Sequence, residues 1–175
     1  MIVFILGPNG SGKSAYAEKL AVRLSTGTLV YIATMIPYGK EGQARVEKHR
    51  KQRESMGFIT VEEPSHVSGI PLLSDATMLL EDVSNLLGNA LFDGNRDRNE
   101  DSVFSDIMTM CARCRNAVIV SIDGLAVRPE YDEETHDYIN ALNRLNGRIS
   151  DFSDIVIMMY DRTPVFVKGN ANELD

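Results

Sequence analysis

The chain has 175 residues, of which 43% are hydrophobic and 25% charged, and its formal net charge is −7. This is the composition of an ordinary globular protein, and the length predicts one domain, residues 1–175, with a single core. The negative charge argues against nucleic acid and anionic membranes as partners, because both attract basic faces. No apolar run approaches the roughly 20 residues of a membrane span. The start "MIVFIL" also lacks the basic leader of a signal peptide, so we expect a cytoplasmic protein.

In chain order, runs rich in Val, Ile and Leu alternate with helical segments, which predicts a mainly parallel α/β sheet. The predicted strands are 2–6, 28–33, 58–61, 77–80, 117–122, 155–160 and 164–167. The predicted helices are 13–24, 41–55, 84–91, 102–113 and 133–150. The last two strands are separated only by "DRT", so they should form an antiparallel hairpin at or near an edge. The polar stretch 93–101 predicts a surface loop.

The strongest motif is "GPNGSGKS", which follows the first strand and opens the first helix. It matches the phosphate-binding loop (P-loop) pattern GxxxxGK[ST], in which glycines turn backbone N–H groups inward around an anion. Lys13 can then reach the β and γ phosphates, and the Ser14 hydroxyl can ligate Mg²⁺. The motif predicts binding of a nucleoside triphosphate. Its residues are Gly7, Pro8, Asn9, Gly10, Ser11, Gly12, Lys13 and Ser14.

Carboxylates end two of the predicted core strands, where a P-loop needs an acidic partner for its metal. "LLED" places Glu81 and Asp82 after an apolar strand, and we favour Glu81 as a metal or nucleotide ligand. Asp82 can instead cap the following helix. Asp123, in "SIDG", is either a second such carboxylate or a turn residue.

The two cysteines, Cys111 and Cys114, form one CxxC in a helical segment. A tetrahedral zinc site would need further ligands, and there is no second cysteine pair. We therefore interpret both cysteines as reduced thiols.

The stretch "ARVEKHRKQR", residues 44–53, concentrates five of the eighteen Lys and Arg residues around His49. On a helix, Arg45, His49 and Arg53 share one face. By charge alone this segment would be a solvated helix. Beside a triphosphate, however, its arginines can grip phosphate and its imidazole can act as a nucleophile, kept neutral by the surrounding cations.

The order and spacing of "GPNGSGKSAYAEKL", "YIAT", "ARVEKHRKQR", "TVEE", "LLED" and "NRLNGRISDFSDIVIMM" resemble the bifunctional adenosylcobinamide kinase and adenosylcobinamide-phosphate guanylyltransferase family of cobalamin biosynthesis. The resemblance covers nearly the whole chain. It implies a three-layer P-loop NTPase of the RecA-like type, with about seven strands and a C-terminal antiparallel hairpin strand. It also implies a homo-oligomer, a trimer in this family.

The resemblance further implies two reactions. A nucleoside triphosphate phosphorylates adenosylcobinamide, and GTP then leaves GMP on a histidine, from which adenosylcobinamide phosphate takes it to give adenosylcobinamide-GDP. The family's nucleophilic histidine falls on His49. Its nucleotide-contacting positions fall on the P-loop and on Ala33, Thr34, Met35, Arg50, Lys51, Gln52, Arg53, Glu62 and Glu81.

The sequence leaves two other interpretations open. One is a P-loop small-molecule kinase without a covalent intermediate, in which the basic helix binds the acceptor or closes as a lid. The other is a nucleotide-binding regulatory protein whose catalytic apparatus has decayed.

Overall fold

A seven-stranded sheet forms the centre of the computed structural model, which describes residues 1–37, 39, 47, 50, 53–92 and 98–174. The strands are β1 (Ile2–Gly7), β2 (Leu29–Ala33), β3 (Ile59–Glu62), β4 (Thr77–Glu81), β5 (Asn116–Ile122), β6 (Ile155–Tyr160) and β7 (Thr163–Lys168). The described helices are α1 (Lys13–Leu24), α2 (Val83–Phe92), α3 (Glu100–Cys111) and α4 (Glu133–Phe152), with 3₁₀ turns at Val67–Gly69 and Ala171–Leu174.

The strand order is β3-β2-β4-β5-β1-β6-β7, and β7 is the antiparallel strand, paired with β6. The other pairs are parallel. The sequence-based prediction of a mainly parallel sheet ending in an antiparallel hairpin is therefore confirmed.

Two apolar layers explain why the central strands lack polar alternation. Phe4, Ile32 and Leu80 face the layer that contains Leu86, Ile107 and Leu142 of α2, α3 and α4. Their neighbours Ile5, Tyr31 and Leu79 face the layer that contains Ala17, Leu20 and Ala21 of α1. Successive residues of a strand point to opposite faces, so a strand covered on both faces must be apolar at nearly every position.

The parallel register brings the carboxyl ends of the strands to one edge of the sheet. Ala33 of β2 pairs with Glu62 of β3 on one side and with Glu81 of β4 on the other. Gly7 of β1 pairs with Ile122 of β5. Loops that follow parallel strands meet at this edge, which is where open α/β sheets bind their ligands.

The predicted loop 93–101 is shorter than expected, because α3 begins at Glu100. Asn99 caps this helix: its side chain accepts from the Ser102 N–H, and the Ser102 hydroxyl accepts from the Asn99 N–H. This capping box satisfies two backbone donors that would otherwise lack partners. Residues 93–97 lie outside the described residues.

The predicted helix 41–55 lies largely outside the described residues, and so does His49. The described part has helical backbone at Arg53 and Glu54. The chain turns there, with the Gly57 N–H donating to the Glu54 carbonyl at 3.1 Å and Gly57 at a φ of 89°. This turn leads directly into β3.

The β6–β7 hairpin has a two-residue turn, because Tyr160 pairs directly with Thr163. Its central residues, Asp161 and Arg162, have φ values of 43° and 64°. Positive φ at both positions defines a type I′ turn, which usually contains Asn or Gly. The left-handed conformation of an arginine is less favourable by roughly 1–2 kcal/mol of conformational free energy. Other contacts must therefore stabilise this turn.

Cys111 and Cys114 are free thiols. No group of three or more His, Cys, Asp or Glu side chains suitable for a metal occurs among the residues that the structure describes. The helices described here include none with the length and apolarity to cross a membrane.

Candidate nucleotide-binding site

The P-loop connects β1 to α1, and glycine conformations and a backbone hydrogen bond define its shape. Gly10 and Gly12 have φ values of 79° and 86°, which residues with a Cβ rarely adopt. The Ser11 N–H donates to the Pro8 carbonyl at 3.2 Å. Gly12 is the N-cap of α1 and provides no side-chain cap. The helix therefore presents free N–H groups and its positive dipole end to an anion.

Two P-loop side chains define the chemical centre of the site. Lys13 is only 7% exposed, and its Nζ donates to the Pro8 carbonyl at 3.3 Å. The Ser14 hydroxyl donates to Oε1 of Glu81, at the end of β4. Lys13, Ser14 and Glu81 therefore meet where the P-loop approaches the neighbouring strand.

The Glu81 carboxyl group is suited to a positively charged ligand. Its pKa is raised to about 7, mainly because the group is buried. The Ser14 hydrogen bond and Lys13 lower this pKa, and the nearby charges of Asp82 and Glu18 raise it. Its Oε2 is buried and has no hydrogen-bond partner within the described part of the chain. A divalent cation would satisfy this oxygen and stabilise the carboxylate.

The donor set at Ser14 and Glu81 fits Mg²⁺. This ion prefers oxygen ligands and takes one or two protein groups together with substrate phosphates and water. A hydroxyl and a carboxylate already in contact, with one carboxylate oxygen unpartnered, match that requirement. When bound, Mg²⁺ would neutralise charge on the phosphates.

A cleft of about 420 Å³ adjoins this centre; we call it the acidic cleft. It brings together nine of the residues predicted from the sequence: Asn9, Gly10, Lys13, Ser14, Ala33, Met35, Arg53, Glu62 and Glu81. Five further residues complete its lining: Glu18, Tyr31, Pro37, Asp82 and Asn85. The predicted residues Gly7, Pro8, Ser11, Gly12, Thr34 and Arg50 do not line it, and His49, Lys51 and Gln52 lie outside the described residues.

Arg53 is a cation built into the wall of the acidic cleft. It is 5% exposed, and its guanidinium carbon lies 3.8 Å from the centroid of the Tyr31 ring. Phe58 packs edge-on against the same ring, with centroids 5.9 Å apart. Arg53 Nε is buried without a hydrogen-bond partner in the described structure. An anion in the cleft would therefore find a preoriented cation.

Tyr31 lines the acidic cleft but was not predicted from the sequence. The sequence feature that could have pointed to it is a tyrosine within an otherwise aliphatic strand, but this pattern is equally typical of a core position. Arg50, in contrast, is exposed and pairs with Glu54 at 3.3 Å. Of the two arginines, Arg50 and Arg53, the structure brings Arg53 alone into the cleft.

Thr34 connects the ends of β2 and β4. It is fully buried; its hydroxyl donates to the Asp82 carbonyl at 2.8 Å and accepts from the Asp82 N–H at 2.8 Å. The side-chain amide of Asn89 donates to the Thr34 carbonyl at 2.8 Å. The polar groups of Thr34 therefore position the ends of the two strands, and Thr34 does not line the cleft.

The two aspartates that the sequence left open have different positions. Asp82 caps α2, because its Oδ1 accepts from the Asn85 N–H at 2.8 Å and from the Ser84 hydroxyl at 2.6 Å. It also lines the acidic cleft. The Asp123 N–H donates to the Gly7 carbonyl at 3.2 Å, but its side chain is not part of the lining.

Solved structures of other proteins share this fold. The flagellar accessory protein FlaH from Methanocaldococcus jannaschii is 12% identical, with a TM-score of 0.53, covering 97% of this chain and 78% of that chain. A solved ATPase domain is 14% identical, with a TM-score of 0.55, covering 97% of this chain and 77% of that chain. At sequence identities this low, the structural similarity shows a shared fold and nothing about activity. Fold and motif together define a P-loop NTPase of the RecA-like type.

The family model described as cobinamide kinase / cobinamide phosphate guanyltransferase matches residues 3–167. The chain belongs to this family and is a transferase of cobalamin biosynthesis. Comparison with curated proteins gives no match.

Proposed function

We propose that this protein catalyses both reactions of its family in the cytoplasm, with Mg²⁺ and with GTP or ATP as nucleotide substrates. It phosphorylates the aminopropanol hydroxyl of adenosylcobinamide, and it then transfers GMP from GTP to adenosylcobinamide phosphate through His49. The observation that carries the proposal is the acidic cleft, in which Lys13, Ser14, Glu81 and Arg53 converge in a member of this family.

In the kinase reaction, the hydroxyl oxygen forms a bond to the γ-phosphorus while the bond from that phosphorus to the β–γ bridging oxygen breaks. The hydroxyl proton is released, and a nucleoside diphosphate leaves. Lys13 and the N–H groups at the start of α1 hold the phosphates in line and stabilise the developing charge. Ser14 and Glu81 would supply the oxygen ligands for Mg²⁺.

In the guanylyl transfer, a neutral nitrogen of His49 attacks the α-phosphorus of GTP and pyrophosphate leaves. A phosphate oxygen of adenosylcobinamide phosphate then attacks the same phosphorus and displaces His49, giving adenosylcobinamide-GDP. Arg53 lies in the cleft to stabilise the negative charge of pyrophosphate. Ala33, Met35 and Glu62 line the side of the cleft that would hold the guanosine.

The remaining predicted contacts belong to the same proposal. Arg50, Lys51 and Gln52 accompany His49 on the basic segment, and Thr34 acts by positioning its neighbours. The protein works as a homo-oligomer, a trimer as the family resemblance implies. Size-exclusion chromatography with light scattering tests that assembly.

The test of the covalent step uses GTP labelled in its α-phosphate. The wild-type protein should acquire acid-labile, alkali-stable label, and His49→Ala should acquire none while retaining kinase activity. His136→Ala is the matched control, because His136 lies away from the cleft with its Nε2 against the Arg128 carbonyl at 2.7 Å. An unlabelled wild-type protein that still phosphorylates adenosylcobinamide would indicate a kinase alone.

A further inference from the structure

We propose that Arg162, in the β6–β7 turn, is a phosphate-binding residue for the nucleotide donor of the kinase reaction. In this proposal the donor extends from the P-loop into a second cleft beside that turn. The inference rests on the proposed kinase function and adds a subsite outside the acidic cleft.

The second cleft has a volume of about 580 Å³; we call it the hairpin cleft. Its lining consists of Gly10, Gly12, Lys13, Ser14, Ala15, Tyr16, Lys19, Met159 and Arg162. Three of these side chains are cations and none is a carboxylate. The acidic cleft has two cations and four carboxylates, Glu18, Glu62, Glu81 and Asp82. Before metal binds, a polyphosphate is therefore attracted more strongly to the hairpin cleft.

The P-loop lies between the two clefts, because Gly10, Lys13 and Ser14 line both. Ser14 contacts Glu81 on the acidic side, so the phosphates nearest the metal ligands point that way. The other end of the donor carries a further phosphate charge and an aromatic base. Lys19 and Arg162 suit that charge, while Tyr16 and Met159 offer apolar surface to the base.

Arg162 is anchored to the P-loop by its backbone rather than by its charged group. Its N–H donates to the Ser11 carbonyl at 2.9 Å. A Cβ added to Gly12 would lie 3.1 Å from Arg162 Cγ, so the side chain starts out directly against the P-loop. Its guanidinium has no ion pair or hydrogen bond with any residue that the structure describes, and neither has the Lys19 ammonium. Two cations that lack a partner in the described part of the chain, beside a phosphate-binding loop, have charge available to the ligand.

The turn geometry allows the side chain to be removed without damage to the backbone. Arg162 has a φ of 64°, which glycine adopts without strain. Arg162→Gly should therefore keep the hairpin and lose the guanidinium. Arg162→Lys keeps the charge, and Arg23→Gln, on α1 outside both cleft linings, is the control for the loss of a cation.

The experiment measures binding of ATP and ADP to the full chain by calorimetry with Mg²⁺ present, together with the melting temperature of each variant. We expect Arg162→Gly to weaken both ligands by about tenfold or more at an unchanged or higher melting temperature. Arg162→Lys should recover most of that loss, and Arg23→Gln should bind as the wild type does. The KM for ATP in the kinase reaction should rise in parallel.

Arg162→Gly binding within about twofold of the wild type would overturn the proposal. Phosphorylation of adenosylcobinamide by the wild-type protein tests the proposed kinase function separately. A wild-type protein that binds no nucleotide at all would overturn both. Should Arg162→Gly be unfolded, Arg162→Gln decides instead, because it keeps the aliphatic part of the side chain against Gly12 and removes the guanidinium.

Discussion

The two clefts on either side of the P-loop share Gly10, Lys13 and Ser14, yet their other walls differ in charge and in the burial of their cations. The acidic cleft holds a buried arginine stacked on Tyr31 and four carboxylates. The hairpin cleft presents exposed Arg162 and Lys19 with no carboxylate in its lining. The P-loop thus lies between the two clefts. The carboxylates of the acidic cleft suit a metal ion, and the cations of the hairpin cleft suit an anion.

Lys13 tests whether the two clefts form one functional site, and its replacement should have the largest effect. Lys13→Ala should reduce both kinase turnover and histidine guanylylation by about 10²- to 10³-fold, because both reactions lose a buried cation at the phosphates. Steady-state phosphorylation and labelling by GTP measure the two rates. Arg144→Ala, which removes a surface pair with Glu100, is the control. Loss of one reaction alone would show that the clefts act independently.

The pH dependence of stability that Glu81 causes tests the electrostatic character of the acidic cleft. Its folded-state pKa, about 7, lies above the ordinary value of 4.5, so the folded protein binds this proton more tightly than the unfolded chain does. The resulting stabilisation is fully present below about pH 4.5 and is lost as pH rises through about 7. Without metal, the free energy of unfolding should therefore fall by about 3 kcal/mol across this range.

Urea unfolding with a chelator present, at several pH values, measures this change. Glu81→Gln should lack it, so the difference between the wild type and this variant isolates the Glu81 contribution. A difference that does not vary with pH would contradict the raised pKa. Adding Mg²⁺ and nucleotide should reduce the loss at high pH, because the ionised carboxylate then has a partner.

Replacement of Arg53 tests the difference in burial and stacking between the two clefts, and we expect the smallest effect from it. Arg53→Lys keeps the charge but loses the planar group that stacks on Tyr31, so GTP affinity should fall by about tenfold. Arg162→Lys should lose less, because Arg162 is exposed and is not stacked. Calorimetry on the two variants compares the sites directly. Equal losses would mean that preorganisation of Arg53 contributes nothing to binding.

Local sequence patterns determined most of the fold. Helix α1 begins and ends where the sequence predicts, at Lys13 and Leu24, because the P-loop glycines define its start. The strand limits agree within one residue, since doubly covered strands are recognisable as short apolar runs. The predicted start of α3 is wrong by two residues, because the Asn99 capping box lies inside a polar stretch that is typical of a loop.

The candidate site likewise contains residues that are predictable from the sequence and residues that only long-range contacts bring together. Gly10, Gly12, Lys13 and Ser14 are readable from sequence because the motif specifies a local backbone shape and its chemistry within a few residues. Glu81 is readable because it ends an apolar strand. The pairing of Arg53 with Tyr31 joins residues 22 positions apart, and the contact of Arg162 with Gly12 joins residues 150 apart.

The sequence alone determined that this chain forms a parallel α/β sheet with a P-loop, because apolar periodicity and glycine conformation act over short distances. Tertiary structure decided which side chains surround the P-loop. Only the packing of β2 beside β4 and of the β6–β7 turn against the P-loop buries Glu81, stacks Arg53 and brings Arg162 against Gly12. Burial and long-range contact set charge and pKa, and neither can be read from a residue's neighbours in the chain.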